Sequence, residues 1–216
     1  MTVALSAQHL AIEIEGRPIF SDVSFEIKSG QTCQLVGPNG SGKTTLFMAL
    51  CGLFEDYTGQ ISWQYQAQAL SLNDWPQHGL FMSPKLGLSP MLTPEENLSW
   101  FGGLMGLSLT VSQIREALAR MGFNRRILRP VSTLSSGQQQ RVKLARLFLG
   151  YRPVWVLDEP FTALDLAAVA ELETILAQHA EQGGLVFFTS HHRLTEFTPS
   201  RSVTLSMPQA MPREVQ

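Results

Sequence analysis

Three short stretches carry residue types suited to handling phosphate. Residues 37–45 read Gly37-Pro38-Asn39-Gly40-Ser41-Gly42-Lys43-Thr44-Thr45, which fits the phosphate-loop pattern G-x-x-x-x-G-K-[ST]. Glycines at these spacings let successive backbone N–H groups turn inward around phosphate oxygens. A helix beginning at the lysine adds the partial positive charge of its N-terminus. Lys43 supplies a point charge for the outer phosphates, and the Thr44 hydroxyl stands where Mg²⁺ would be held. The competing reading is a glycine-rich turn that happens to precede a lysine; the complete pattern, with an apolar strand before it and a helix after it, disfavours that reading.

The second stretch is Val154-Trp155-Val156-Leu157-Asp158-Glu159. An apolar strand ending in carboxylates delivers them to the carboxyl edge of a parallel sheet, where sites in such folds form. Asp158 is expected beside Mg²⁺ through water, and Glu159 is placed to polarise an attacking water as general base. Taken alone, the pair reads equally well as solvated charge at a strand end; the phosphate loop upstream tips the balance. The third stretch, Leu134-Ser135-Ser136-Gly137-Gln138, opens a helix and offers hydroxyls and N–H groups to an anion. By itself a serine N-cap is the simpler reading. This stretch is too far along the chain to share the first phosphate cradle, so it needs another nucleotide to grip.

The elements around these stretches describe a parallel α/β core. Residues 3–14 and 19–28 read as strands joined by a turn at Gly16 and Pro18, and the apolar run 31–36 leads into the glycine loop and a helix over Lys43–Cys51. From about residue 93 to 150 the pattern turns helical. Thr93-Pro94-Glu95-Glu96 has the form of a capping box with proline at the first helical position. Further helices are expected at 110–122 and 137–150. The run 154–157 is a strand buried on both faces, Leu166, Val169, Leu172 and Leu176 recur at helical spacing, Gly183-Gly184 stops that helix, and 185–190 is another buried strand. The expected organisation is one nucleotide-binding domain over 1–206, with a helical subdomain at about 84–150, and a loose tail over 207–216.

Composition narrows the classes. With 44% apolar and 16% charged residues the chain is globular, and a net charge of −2 argues against a broad nucleic-acid surface. Two cysteines, Cys33 and Cys51, make no disulfide framework or metal set and read as buried thiols. No run approaches the ~20 apolar residues of a membrane span, and the N-terminus lacks the form of a secretory signal. Any membrane-spanning parts then belong to other chains. His9, His78 and His179 default to solvated surface positions.

The motif set resembles the ATP-binding-cassette (ABC) ATPases through GPNGSGKTT (37–45), LSSGQ (134–138), VWVLDEP (154–160), TALD (162–165) and a strand leading to His191. The resemblance covers the chain to about residue 205. It implies a P-loop NTPase (RecA-like) fold: a parallel-sheet core with antiparallel strands and an inserted α-helical subdomain. It also implies a Mg²⁺-dependent ATPase working as a head-to-tail dimer. Ser135, Ser136, Gly137 and Gln138 would then grip the partner subunit's ATP, Asp165 would communicate across the dimer, and His191, favoured over the adjacent His192, would contact the γ-phosphate. A narrower resemblance, carried by LSSGQQQRVKLARLFL, the phenylalanine of DEPFTALD and HAEQGG, is to the ATP-binding subunit of the haem exporter of bacterial cytochrome c maturation. It implies integral membrane subunits as partners, no nucleic acid, and a peripheral position on the cytoplasmic face of the inner membrane. Hydrolysis would drive either haem export or release of a haem-loaded chaperone. Another small exporter's ATPase subunit, a soluble non-transport ABC ATPase and a nucleotide-switched scaffold are the alternatives.

Three positions depart from the family pattern. Ser136 replaces a glycine. The glutamine expected between the 80–83 strand and LTPEENL is absent, with Pro84 or Lys85 in its place, and a protonated lysine cannot ligate a cation. No aromatic stands near Glu13-Ile14-Glu15 to stack on adenine, which leaves Ile14 or Arg17 to cover the base and predicts loose base discrimination. The apolar stretch Met82, Leu86, Leu88, Met91 and Leu92 fits either core packing or a groove for a helix of a membrane partner.

Overall fold

The computed structural model describes residues 2–85, 87–125 and 128–206; Leu86 and the expected tail 207–216 lie outside them. Strands β1 (Val3–Ile14) and β2 (Arg17–Lys28) form an antiparallel hairpin. Its turn is tighter than the sequence suggests: Glu15 and Gly16 both adopt positive φ (51° and 72°), and Pro18 already pairs with Glu13 inside the ladder. Two left-handed residues match the twist of the flanking strands, so a two-residue loop suffices.

Next come β3 (Thr32–Val36) and α1 (Lys43–Leu50), then β4 (Thr58–Tyr65), β5 (Gln68–Leu70), a short α2 (Trp75–His78) and β6 (Gly79–Met82). The helical lobe follows with α3 (Pro94–Leu104), α4 (Val111–Ala119) and α5 (Ser136–Leu144). The helix expected to run to residue 150 gives way at Ala145–Phe148 to a 3-10 turn. The chain returns to the sheet through β7 (Val154–Leu157), α6 (Leu166–Glu181), β8 (Leu185–Thr189) and β9 (Arg201–Thr204). Thr93, Thr110 and Ser135 each close a capping box at the start of α3, α4 and α5.

Two sheets result. β2-β1-β4-β5 is antiparallel, and β6-β7-β8-β3-β9 is parallel throughout. Every residue of β7 and β8 is buried, which explains their unbroken apolar runs. Alternate residues feed two cores. Val154, Val156, Leu185 and Phe187 face the antiparallel sheet with Leu46 and Phe47 of α1. Trp155, Leu157, Val186 and Phe188 face Leu172 and Leu176 of α6 and the helical lobe.

Sequence expectations fail at particular side chains. Leu166, read as the first core position of α6, is 81% exposed at the helix start. His179 is not solvated: it is buried near the end of α6 with its ring stacked on Trp155 at 3.6 Å, and burial lowers its pKa to about 4. Met82 is core, Leu88 packs against the core, and Met91 is open to solvent.

Candidate functional site

The parallel strands β3, β6, β7 and β8 end together. After β3 the chain enters the glycine loop, after β7 it reaches Asp158-Glu159, after β8 Ser190-His191, and after β6 Ser83-Pro84. The register fixes this convergence. Leu157 pairs with Phe188 and Leu35 with Thr189, so the first residues beyond each strand stand side by side. The Asp158 N–H donates to the Met82 carbonyl at 2.8 Å, extending the β6–β7 ladder one step into the site.

The loop has the shape its glycines allow. Gly40 and Gly42 adopt φ of 81° and 87°, and Gly42 caps α1 from the left-handed region. A Cβ on Gly37 would come within 2.6 Å of Ser41 Oγ and 2.8 Å of the Leu205 carbonyl, so no larger residue fits there. Among the described residues, the N–H groups of Gly40, Gly42, Lys43 and Thr44 donate to no backbone partner outside their helix. The Ser41 hydroxyl is buried and likewise unpartnered. Lys43 Nζ curls back to donate to the Gly37 and Pro38 carbonyls at 2.8 and 3.0 Å. Pro38, Asn39 and Gly40 are exposed along the loop, and Thr45 lies beyond Thr44 in the first turn of α1. A cavity of about 300 Å³ opens over this loop, its walls including Ile19, Pro84, Asp158 and Glu159. Ile19, rather than Ile14 or Arg17, is the apolar residue on that wall. A larger groove of about 770 Å³ lies between β2 and β9, and the phosphate loop takes no part in it.

The acidic side chains are held from several directions. The Thr44 hydroxyl donates to Asp158 Oδ2 at 2.5 Å, and the Thr189 hydroxyl donates to Asp158 Oδ1 at 2.7 Å. Glu159, with φ of 54°, has its N–H bound by Thr189 Oγ1 at 2.7 Å. His191 Nε2 lies 3.1 Å from Glu159 Oε1. His192 turns away, 3.9 Å from the buried Glu173, whose other oxygen accepts from the Thr195 and Glu196 N–H groups. The two neighbouring histidines therefore have separate surroundings, and His191 is the one beside Glu159.

The signature stretch stands apart. Ser135 and Ser136 are exposed, Gly137 and Gln138 half-buried, and none of the four lines the phosphate cavity. Ser135 accepts from the Gln138 N–H at 3.3 Å, while Gln138 Oε1 accepts from the Ser135 N–H at 3.1 Å. The helix behind this stretch is tied to the segment after Glu159. Gln140 Nε2 donates to the Pro160 carbonyl at 2.8 Å, and Arg141 reaches both oxygens of Asp165 at 3.1 Å. The Ala168 N–H at the start of α6, together with Arg141, holds the Asp165 carboxyl below the usual carboxylate range.

Two cations missed by sequence reasoning secure the strand-end loop that lacks the expected glutamine. Lys143 is buried and donates to the Ser83 carbonyl at 2.6 Å; burial lowers its pKa to about 8. Arg146 donates to the Gly87 carbonyl at 2.6 Å and lies 4.0 Å over the Phe101 ring; burial lowers it to about 10. Their spacing of three along a helix otherwise facing the core was the available signal. Among the described residues no three or more His, Cys, Asp or Glu are grouped to hold a metal ion; beside the glycine loop, Thr44 and Asp158 place two oxygen donors in contact.

Comparisons with known proteins agree with this geometry. The family model described as ABC transporter matches residues 20–162. The cytochrome c biogenesis ATP-binding export protein CcmA of Pseudomonas putida (strain KT2440) is 43% identical over 211 residues, covering 97% of this chain and 99% of that protein. Its counterpart from Vibrio cholerae serotype O1 is 38% identical over 206 residues, covering 95% and 100%. Among solved structures, the ATP-binding cassette MJ0796, dimeric in a post-hydrolysis state with ADP and Pi, superposes with a TM-score of 0.80 at 21% identity, covering 95% and 97%. An ABC transporter ATP-binding protein from Pyrococcus furiosus gives a TM-score of 0.77 at 22% identity, covering 94% and 97%. The chain belongs to the ABC transporter family, as an ABC-type ATPase similar over nearly its whole length to the cytochrome c biogenesis ATP-binding export protein CcmA.

Proposed function

We propose that this ATPase powers a membrane complex of cytochrome c biogenesis, in which hydrolysis drives haem export or the release of a haem-loaded chaperone. The observation that carries the reading is the meeting of Lys43, Thr44, Asp158, Glu159 and His191 at one edge of the parallel sheet. The β- and γ-phosphates of ATP fit the cradle formed by the N–H groups of Gly40, Gly42, Lys43 and Thr44, with Lys43 Nζ moving from the loop carbonyls to the phosphates. The all-oxygen pair Thr44 and Asp158 fits Mg²⁺, a hard ion that keeps several waters and binds phosphate oxygens. When bound, Mg²⁺ would neutralise charge developing on the phosphoryl oxygens. Glu159 accepts the proton of the attacking water, and His191, already beside its carboxylate, contacts the γ-phosphate. Catalysis here is positioning and electrostatics, without a covalent phosphoenzyme.

The exposed Ser135–Gln138 stretch, remote from the chain's own phosphate loop, suits contact with the ATP of a second subunit in a head-to-tail dimer. Asp165, tied to the same helix through Arg141, suits communication between the two sites. Among the described residues no helix is long and apolar enough to cross a membrane. Attachment to the cytoplasmic face through integral membrane partners is part of the proposal, supported by the likeness to CcmA. The proposed organisation is one nucleotide-binding domain over 1–206, with about 84–150 as the helical lobe that meets those partners. The test is to purify tagged wild type and Glu159→Gln from gently solubilised membranes. Both should retain polytopic subunits and haem or its chaperone, and Glu159→Gln should bind ATP yet lose turnover by a factor of about 10² or more. Unchanged hydrolysis in Glu159→Gln refutes the catalytic assignment; membrane partners without a haem connection refute the cytochrome c role alone.

A further inference from the structure

We infer that Thr189, the last residue of β8, is a positioning residue for hydrolysis: its one hydroxyl sets both the carboxylate of Asp158 and the backbone of Glu159. The side chain is fully buried, and its bonding capacity is committed. A hydroxyl has one proton to donate and lone pairs to accept with. The Glu159 N–H can only donate, so Thr189 Oγ1 accepts there at 2.7 Å, and the single hydroxyl proton goes to Asp158 Oδ1 at 2.7 Å. With Thr44 donating to Oδ2, both oxygens of Asp158 are fixed by hydroxyls, one from the phosphate loop and one from the neighbouring strand.

The second bond acts on the backbone. Glu159 occupies the left-handed region at φ of 54°, which a non-glycine residue enters at a cost and holds only when its surroundings impose it. Thr189 binds the N–H of that residue, while Gln140 binds the carbonyl of the next, Pro160. These anchors direct the Glu159 side chain towards His191 and the cavity. Valine has nearly the shape of threonine but serves neither bond. It would leave Asp158 Oδ1 without its buried donor and free the Glu159 backbone, so that ATP is still held while the glutamate loses its aim. Displacement of a reacting group by about 1 Å can cost as much as 10²-fold in rate.

This inference rests on the reading of Glu159 as general base, and the experiment separates the two. Wild type, Thr189→Val, Thr189→Ser and Glu159→Gln are prepared as full chains with their bound partners. Each is assayed for ATP turnover with Mg²⁺ and for ATP binding without it. Thr189→Val should lower kcat by ten- to a hundredfold while KM and metal-free ATP affinity stay within about threefold. Thr189→Ser, which keeps the hydroxyl, should stay within about threefold of wild type in all of them. Wild-type kcat in Thr189→Val, an equal loss in Thr189→Ser, or a parallel loss of ATP binding overturns the positioning role. If Thr189→Val does not fold, Thr189→Ala replaces it under the same criteria. An inert Glu159→Gln beside an active Thr189→Val defeats this inference alone, whereas an active Glu159→Gln defeats the general-base reading beneath it.

Discussion

Replacing Lys143 by methionine should make the protein's stability relative to wild type change with pH, in a direction fixed by where that ammonium sits. Lys143 is 1% exposed, donates to the Ser83 carbonyl, and has its pKa lowered from 10.5 to about 8, chiefly by burial and secondly by the nearby Arg146, against the pull of Asp158. A lysine with a lowered folded-state pKa is harder to protonate in the folded chain than in the unfolded one. Its cost is therefore present in full below about pH 8 and fades as pH rises towards 10.5. At about 1.4 kcal/mol per pKa unit, the cost at neutral pH is about 3 kcal/mol. Methionine has similar length and removes the charge, but leaves the Ser83 carbonyl without its donor at a cost of about 1–2 kcal/mol. Lys143→Met should thus equal or exceed wild type in stability near pH 7 and fall below it near pH 10, a relative change of about 2–3 kcal/mol. Urea unfolding of both proteins across that range measures the difference, and titrations shared by the two chains cancel. A pH-independent difference would refute the assignment of a buried, charged lysine beneath the loop at 83–85.

His179 follows the same charge logic in the acid range: buried neutral, with a pKa of about 4, it takes up a proton as the protein unfolds below its ordinary value of 6.5. Stability that depends on it is present above about 6.5 and is lost as pH falls towards 4, by about 2 kcal/mol between pH 7 and 4.5. His179→Phe keeps an aromatic ring on Trp155 and should flatten that acid limb in denaturant unfolding; an unchanged limb would show that other groups cause it. Ile19 is the apolar side chain on the wall of the cavity over the glycine loop, and none of that cavity's lining residues is aromatic. Steady-state kinetics should therefore give kcat/KM values for ATP and GTP within about tenfold, since losing an aromatic stack removes only a kcal/mol or two; a strong preference for ATP would show that the base is read elsewhere.

Features encoded within a few consecutive residues were legible in the sequence. The phosphate loop, the capping box at Thr93 and the strand ending in Asp158 each depend on neighbours along the chain, so residue type and spacing specify them. The parallel core followed from β7 and β8, whose apolar runs have no polar face because both sides are covered. What escaped notice depends on which strand lies beside which. Thr189 is a β-branched residue at the end of an apolar strand and reads as an ordinary strand former. Only the pairing of Leu157 with Phe188 and Leu35 with Thr189 reveals that it stands next to Asp158. Lys143 and His179 share the same difficulty, since a polar residue on a helix reads as surface until the face that packs is known.

These hidden residues differ in what their burial does. His179 makes its contact with Trp155 and the Pro153 carbonyl at the end of the sheet opposite the phosphate loop, so its burial bears on stability. Thr189 and Lys143 lie under the strand ends and hold the Asp158-Glu159 turn and the segment beginning at Ser83. A site built from four loops has few contacts of its own to keep those loops in register. Polar side chains from the buried layer beneath can do so, because each bond removed there leaves a partner unsatisfied at a cost of about 1–3 kcal/mol. The residues lining the cavity are consequently only half of the site; the other half is the buried layer of hydroxyls and amines that fixes where they point.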